Sequence, residues 1–311
     1  CKWVQYLPEK ERARTITLLR ISPFLVASAL AQKDKDALLN DPLIRIGIKN
    51  EVEAVLSESD FVAPEMESFA LWSSQRVAYL PAGGSAQKKL LDVLFSYLHD
   101  ASDQSNWNTQ FGSTLMGSNN VRSYPRNTML VLDRLHLALC KQDVLSEHDQ
   151  GRVLRNILSY SQHLRRLPSH LLRASDRHHY QKFAYSMADA LIDGVISPAN
   201  QEYAQEIMVL MSATGTNDLR AGIIGKILAA KRTGKLATAS KLCVYQIMAK
   251  LCMTGAASEL HFPVAQVLAR SICLTDEAQP QMILLQYLQQ LLDGIGDEAL
   301  GRIAQSLVYA V

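Results

Sequence analysis

With 311 residues, 48% of them hydrophobic and 20% charged, and only fifteen Gly and ten Pro, this chain can bury a substantial core and is not a disordered one. Its formal net charge of +2 conceals a segregation: residues 151–250 carry fourteen Lys/Arg against six Asp/Glu, whereas residues 1–150 sum to −2 and residues 251–311 to −4. An even charge distribution is excluded, and the basic middle is where phosphates or acidic partners would be attracted.

The first residue is Cys1 and not Met, which reads as a processed or excised piece with any targeting segment outside it. The run from Arg20 to Ala31 ends in Ala29-Leu30-Ala31 like a secretory signal, but Glu9 and Glu11 lie in an overlong preceding region. A buried helix is expected there, and the run is too short to span a bilayer, so no membrane contact is expected. Helical spacing of apolar residues then covers about 64–80 and 85–99. Between these two, Gly83-Gly84-Ser85 precedes a helix without the Gly-Lys-Ser/Thr ending that seats a nucleotide, so Ser85 reads as an N-cap.

From Asp100 to Thr128 the chain is rich in Ser, Asn and Gly, which predicts a long loop or a junction. The expected organisation is therefore an N-terminal helical region over 1–100, a polar connector over 101–127 and a C-terminal helical region over 128–311. In that last region helical patterns cover about 128–141, 151–166, 176–195, 199–212, 217–231, 240–253, 263–274, 280–293 and 298–310. Ser146 with Asp149 resembles a capping box, Ser197-Pro198 gives an N-cap followed by proline, and Gly194 and Gly294 suit helix C-termini.

Paired, these helices make units of roughly 35–45 residues, the range in which helical solenoids repeat. Leu130, Leu135 and Leu139-Cys140 superpose on Leu242, Ile247 and Leu251-Cys252 at an offset of 112, while Leu191-Ile-Asp-Gly194 and Leu291-Leu-Asp-Gly294 give a competing offset of 100. The expected fold class is all-α, a solenoid-like array of antiparallel helix pairs. In this general way the chain resembles helical-repeat scaffolds of the HEAT, armadillo and tetratricopeptide kind, although the Trp/Gly/Tyr framework of the last is missing.

Within 151–166, Arg152, Arg155, Gln162 and Arg166 fall opposite the apolar stripe and form a basic ridge. Arg165, Arg173, Arg177, His178, His179 and Lys182 follow, with Asp176 the only acid between 152 and 182. Guanidinium groups grip phosphates and His stacks on unpaired bases, so this mixture suits the RNA phosphate backbone. A second basic group, Lys226, Lys231, Arg232, Lys235 and Lys241, surrounds the turn at Thr233-Gly234. The competing reading is a basic face for an acidic protein surface.

Catalytic signatures are missing. His136 and Cys140 share a helix face, as do His99 and Asp103, but neither pair has the further ligands a zinc site needs. Paired acids such as Asp276-Glu277 sit where helices start and are explained by the helix dipole. No enzyme, cofactor or metal is expected, and grooves between helices should be lined mainly by Leu, Met and Ala. Five cysteines without paired spacing, Cys1, Cys140, Cys243, Cys252 and Cys273, point to an intracellular, reducing compartment.

The function expected from the sequence is a non-enzymatic RNA-binding or scaffold subunit of a larger ribonucleoprotein assembly. A mitochondrial setting would suit that architecture, and no residue encodes it. The alternative is a protein-interaction module, an adaptor or secreted bacterial effector.

Overall fold

The computed structural model describes residues 8–9, 24, 32–58, 66–102, 124–166, 174–214, 217–255, 258–293, 300–301 and 303–305. Among these residues every regular element is a helix and no strand occurs, so the chain is all-α. The apolar run at 20–31 lies outside the described residues except for Phe24, as does most of the polar connector and of the helix expected at 298–310. The chain divides into two compact units, residues 1–138 with 143–146, and residues 139–142 with 147–311.

The first unit contains α1 (Gln32–Leu39), α2 (Pro42–Glu58), α3 (Met66–Arg76), α4 (Ser85–Ser102) and most of α5 (Tyr124–Leu139). Asp41 starts α2 by accepting the Leu43 N–H at 3.0 Å, with Pro42 fitting the first helical position, where no N–H is needed. α1 packs on α2, and both α2 and α3 pack on α4. Leu90, Leu91 and Leu94 of α4 are fully buried, as the 3.6-residue period requires of its inward face. Gln87, also fully buried, accepts the Gly83 N–H (2.9 Å) and donates to the Val77 and Val144 carbonyls (3.2 and 2.8 Å). It thereby ties three backbone groups together, the Val77 carbonyl accepting from Leu80 N–H as well. The Gly83-Gly84 loop thus spends its N–H groups internally, Gly84 on the Pro81 carbonyl at 3.1 Å, and offers neither to an anion.

The second unit contains α6 (Glu147–Arg166), α7 (Ala174–Ile192), α8 (Gln201–Thr214), α9 (Asn217–Arg232), α10 (Lys241–Met253), α11 (His261–Cys273) and α12 (Ala278–Leu292). α6 starts directly after Ser146, four residues before the start expected at Gly151, with Glu147 and Asp149 acidic in the first turn. Val153, Leu154, Ile157, Leu158 and Ser161 are buried as their spacing predicts. Even-numbered helices are neighbours in turn, α6 on α8, α8 on α10 and α10 on α12. α7 packs on α8 and α9, α9 on α10, and α11 on α10 and α12.

The turn that ends α7 recurs at the end of α9, from Gly194–Asn200 to Gly234–Ser240. Gly194 and Gly234 have φ of 72° and 70°, a left-handed conformation that closes a helix without a Cβ clash. The Val195 and Lys235 N–H groups return to the Ala190 and Ala230 carbonyls at 2.8 and 3.0 Å. Ile196 and Leu236 are buried, and a 3₁₀ turn, Pro198–Asn200 or Thr238–Ser240, leads into the next helix. Ser197 is therefore the cap of a 3₁₀ turn instead of α8 itself, and its hydroxyl accepts from Asn200 Nδ2 at 2.9 Å.

Polar side chains at the starts of α6 and α8 hold these turns. Gln150 accepts the Ser197 N–H and donates to the Val195 carbonyl, both at 3.1 Å, and Asn200 donates to the Glu147 carbonyl at 2.7 Å. One helix further on, Gln201 donates to Ser240 Oγ at 3.2 Å.

Candidate ligand-binding cleft

The two expected basic groups fare differently. On α6, Arg155 is exposed, its Nε donating to the Gly151 carbonyl of its own helix at 3.3 Å. Arg152 is half-buried and lies 3.8 Å from the carboxylate of Asp149, which is only 3% exposed. Gln162 donates to Glu206 of α8 at 3.1 Å, and Glu202, one turn earlier on α8, is exposed on the same flank. Acids thus lie beside Arg152 and Gln162, contacts that α6 read alone does not show. Helix spacing orders charges along one helix and is silent about the helix beside it. Lys182 on α7 is exposed. The side chains of Arg165, Arg166, Arg173, Arg177, His178 and His179 lie outside the described residues.

Two members of the second group, Lys231 and Lys241, line a cleft of about 680 Å³ formed by α9, α10, α11, α12 and their connections. Leu236, Tyr245, Ser271 and Leu284 form a buried floor, and Leu242, Leu274 and Pro280 add apolar wall. Gly234, Thr238 and the exposed Lys241, Asp276 and Glu277 complete the lining. A groove lined mainly by Leu, Met and Ala is thus not what this cleft is: its leucines share the lining with Tyr245, Ser271 and charges of both signs.

Lys231, at the end of α9, is the cation inside. Its ammonium sits 5.1 Å from the centre of the Tyr245 ring, within cation–π range, and 3.4 Å from Ser271 Oγ. The Ser271 hydroxyl donates to the Val267 carbonyl at 2.7 Å, so its oxygen is left as an acceptor for Lys231. At 3.4 Å that bond is long for N–H···O, and Lys231 forms no ion pair among the described residues. Burial first, then the like charges of Arg270 and Lys241, push its pKa below the ordinary lysine value.

Lys226, on the same helix, shows the usual solution. It lies 5.6 Å from the Tyr185 ring centre but is ion-paired with Asp189. Arg232, Lys235 and Arg270 are exposed around the Lys231 end of α9 and form no ion pair among the described residues.

Sequence reasoning placed Lys231, Arg232, Lys235 and Lys241 together but missed Tyr245, Ser271 and Arg270, which arrive from α10 and α11. The signal in reach was Tyr245, one turn after Lys241. Among the described residues no group of three or more His, Cys, Asp or Glu is placed to hold a metal ion, and no helix is long and apolar enough to cross a membrane. His136 is buried, and Cys140 donates to the Ser186 carbonyl at 3.5 Å. The side chain of His99, and Asp103, lie outside the described residues. Comparison with protein-family models, with curated proteins and with solved structures finds no match for this chain.

Proposed function

We propose that the chain is a non-enzymatic scaffold of helical repeats, a subunit of a larger assembly, whose C-terminal unit binds an acidic protein partner. The repeat reading is supported by the turn that recurs from Gly194–Asn200 to Gly234–Ser240, and by the way each even-numbered helix packs on the next. A lone helix pair leaves its apolar stripe uncovered, and a neighbouring pair covers it.

One observation carries the choice of partner. Lys231 and Lys241 line a cleft whose walls carry four leucines, and Arg232, Lys235 and Arg270 stand exposed near Lys231; none of the five has an ion pair among the described residues. A protein segment can supply both the carboxylates and the apolar groups such a surface takes. RNA bound within a ribonucleoprotein, in an organellar setting, is the second reading, favoured by the exposed Arg155 and Lys182.

The test is binding of a Glu–Ala random copolymer and of an oligouridylate to the immobilised chain over a salt series. The copolymer is expected to bind, and the triple reversal Arg232→Glu, Lys235→Glu, Lys241→Glu to release it, while Arg155→Glu leaves it in place. Oligouridylate retention with a steep salt slope, and none of the copolymer, would put RNA first. Retention of neither would remove both readings.

A further inference from the structure

We infer that the cleft beside Lys231 is a recognition pocket for a single carboxylate side chain presented by an extended peptide between aliphatic residues. The inference rests on the scaffold reading and assigns it a specific site. Three features of the cleft select this occupant.

The first is the state of Lys231. An ammonium has three N–H donors, and here one is spent on a long bond to Ser271 Oγ. Beyond the Tyr245 ring at 5.1 Å the rest meet no acceptor among the described residues, and Arg270 and Lys241 repel the charge. A carboxylate placed on Lys231 would satisfy those donors and relieve that repulsion. Lys226 receives the same service from Asp189 within the chain, so the pocket lacks from its own sequence what a ligand would bring.

The second is the lining. Leu236, Leu242, Leu274 and Leu284 line the same cleft as the ammonium, and Leu274 is 79% exposed. Aliphatic side chains flanking the carboxylate would cover it, whereas a free inorganic anion would leave it wet.

The third is the charge of the lining, which decides between a peptide and a nucleic acid. Asp276 and Glu277 line the cleft together with Lys231 and Lys241, so a polyanion threaded through it would meet two carboxylates as well as the lysines. A phosphodiester chain carries a charge at every step and cannot avoid them. A peptide with one isolated acid can.

The experiment uses the whole chain and pools of short acetylated, amidated peptides with Leu, Val or Ala at the flanks and either Glu or Gln at the centre. Wild type is expected to retain the Glu pool about tenfold more than the Gln pool, the size of one charge-assisted contact. Lys231→Met, which keeps an unbranched side chain over Tyr245, should erase the difference, and Lys182→Met should not. Should Lys231→Met fold poorly, wild type still decides: the Glu pool should shield Lys231 from acetylation, read by mass spectrometry, and the Gln pool should not.

Equal retention of the two pools, a preference that survives Lys231→Met, or acetylation of Lys231 unaffected by the Glu pool would overturn the pocket. Displacement of the Glu pool by oligouridylate at a lower concentration than by soluble Glu pool would transfer the cleft to nucleic acid. Failure here is distinct from failure of the scaffold reading. In the first case the Glu–Ala copolymer still binds and ignores Lys231→Met, and in the second the copolymer does not bind at all.

Discussion

Replacing Gln150 by Leu tests whether the starts of the even-numbered helices are tied to the neighbouring turn by polar side chains. Gln150 is buried, accepts the Ser197 N–H and donates to the Val195 carbonyl, each at 3.1 Å. Leu fills nearly the same volume, so little cavity is made and the change isolates the hydrogen bonds. Two bonds at a net of about 1 kcal/mol each set the scale, and a stranded, fully buried backbone group would add about 1–3 kcal/mol. Val195 and Ser197 are only half-buried, so water recovers part of this, leaving a loss of about 1–2 kcal/mol for Gln150→Leu. Denaturant unfolding measures the loss, and amide hydrogen exchange locates it. Ser197 N–H, bonded to Gln150, should exchange faster, whereas Val195 N–H, bonded to the Ala190 carbonyl at 2.8 Å, should keep its protection. An unchanged midpoint together with an unchanged Ser197 exchange rate would refute the link.

Gly222→Ala should destabilise the second unit, because its Cβ would stand 2.0 Å from Tyr185 Oη; overpacking costs about 1–3 kcal/mol, and better helix propensity returns no more than about 1. Tyr185→Phe in that background should recover part of the loss in a thermal melt. Arg155→Glu should change stability by less than about 0.5 kcal/mol, whereas Arg152→Glu, which sets a like charge against the buried Asp149, should cost clearly more in the same melt. Burial pushes the thiols of Cys140, Cys243 and Cys252 up to about 12, so iodoacetamide near neutral pH should alkylate the exposed Cys273 first and reach these three only on unfolding. The lowered pKa of Lys231 means that the unfolded chain binds its proton more tightly, so stability relative to Lys231→Met should rise as pH climbs from the folded pKa to the ordinary lysine value. A flat difference between the two proteins across that window in pH-dependent unfolding would argue against the buried charge.

Much of the helical content was legible in the sequence. The stripe Val153, Leu154, Ile157, Leu158 and Ser161 marks α6 through its period alone, and Gly194 marks the end of α7 because a left-handed residue is needed there. The repeating turn was not. Gly194–Asn200 and Gly234–Ser240 share only the Gly and the Ala199/Ala239 pair as identities, since what the geometry demands is a left-handed residue, a buried aliphatic and a small buried polar group. Several residues meet each demand, so the repetition lives in shape and leaves little trace in letters. The echoes that letters do give, at offsets of 112 and 100, follow shared helix-end words. For the cleft, the cations at 231–241 were visible as a cluster, but Tyr245 and Ser271 come from separate helices and the acids Asp276 and Glu277 from the connection between α11 and α12. Only packing brings them together.

The contrast between Lys226 and Lys231 bears on why the cleft is read as a site and not as surface. Both lie on α9 beside a tyrosine ring, and one has an aspartate while the other has a serine and two like-charged neighbours. A chain selected for stability alone would relieve Lys231 by an apolar side chain or by a carboxylate at the Ser271 position, where α11 already points at the ammonium. Neither is present. Holding a half-buried charge short of partners costs the folded state something in isolation, and that cost is recovered when an anion arrives, so the same arrangement that weakens the free protein strengthens the complex. By this reasoning Ser271→Asp should act in two directions at once: the second unit should become more stable, because Lys231 gains an internal partner, and the preference for a Glu-centred over a Gln-centred peptide should vanish. Greater stability with the preference intact would mean that Lys231 is not the group that reads the carboxylate. A loss of preference without greater stability would mean that the introduced carboxylate disturbs the cleft instead of pairing with Lys231.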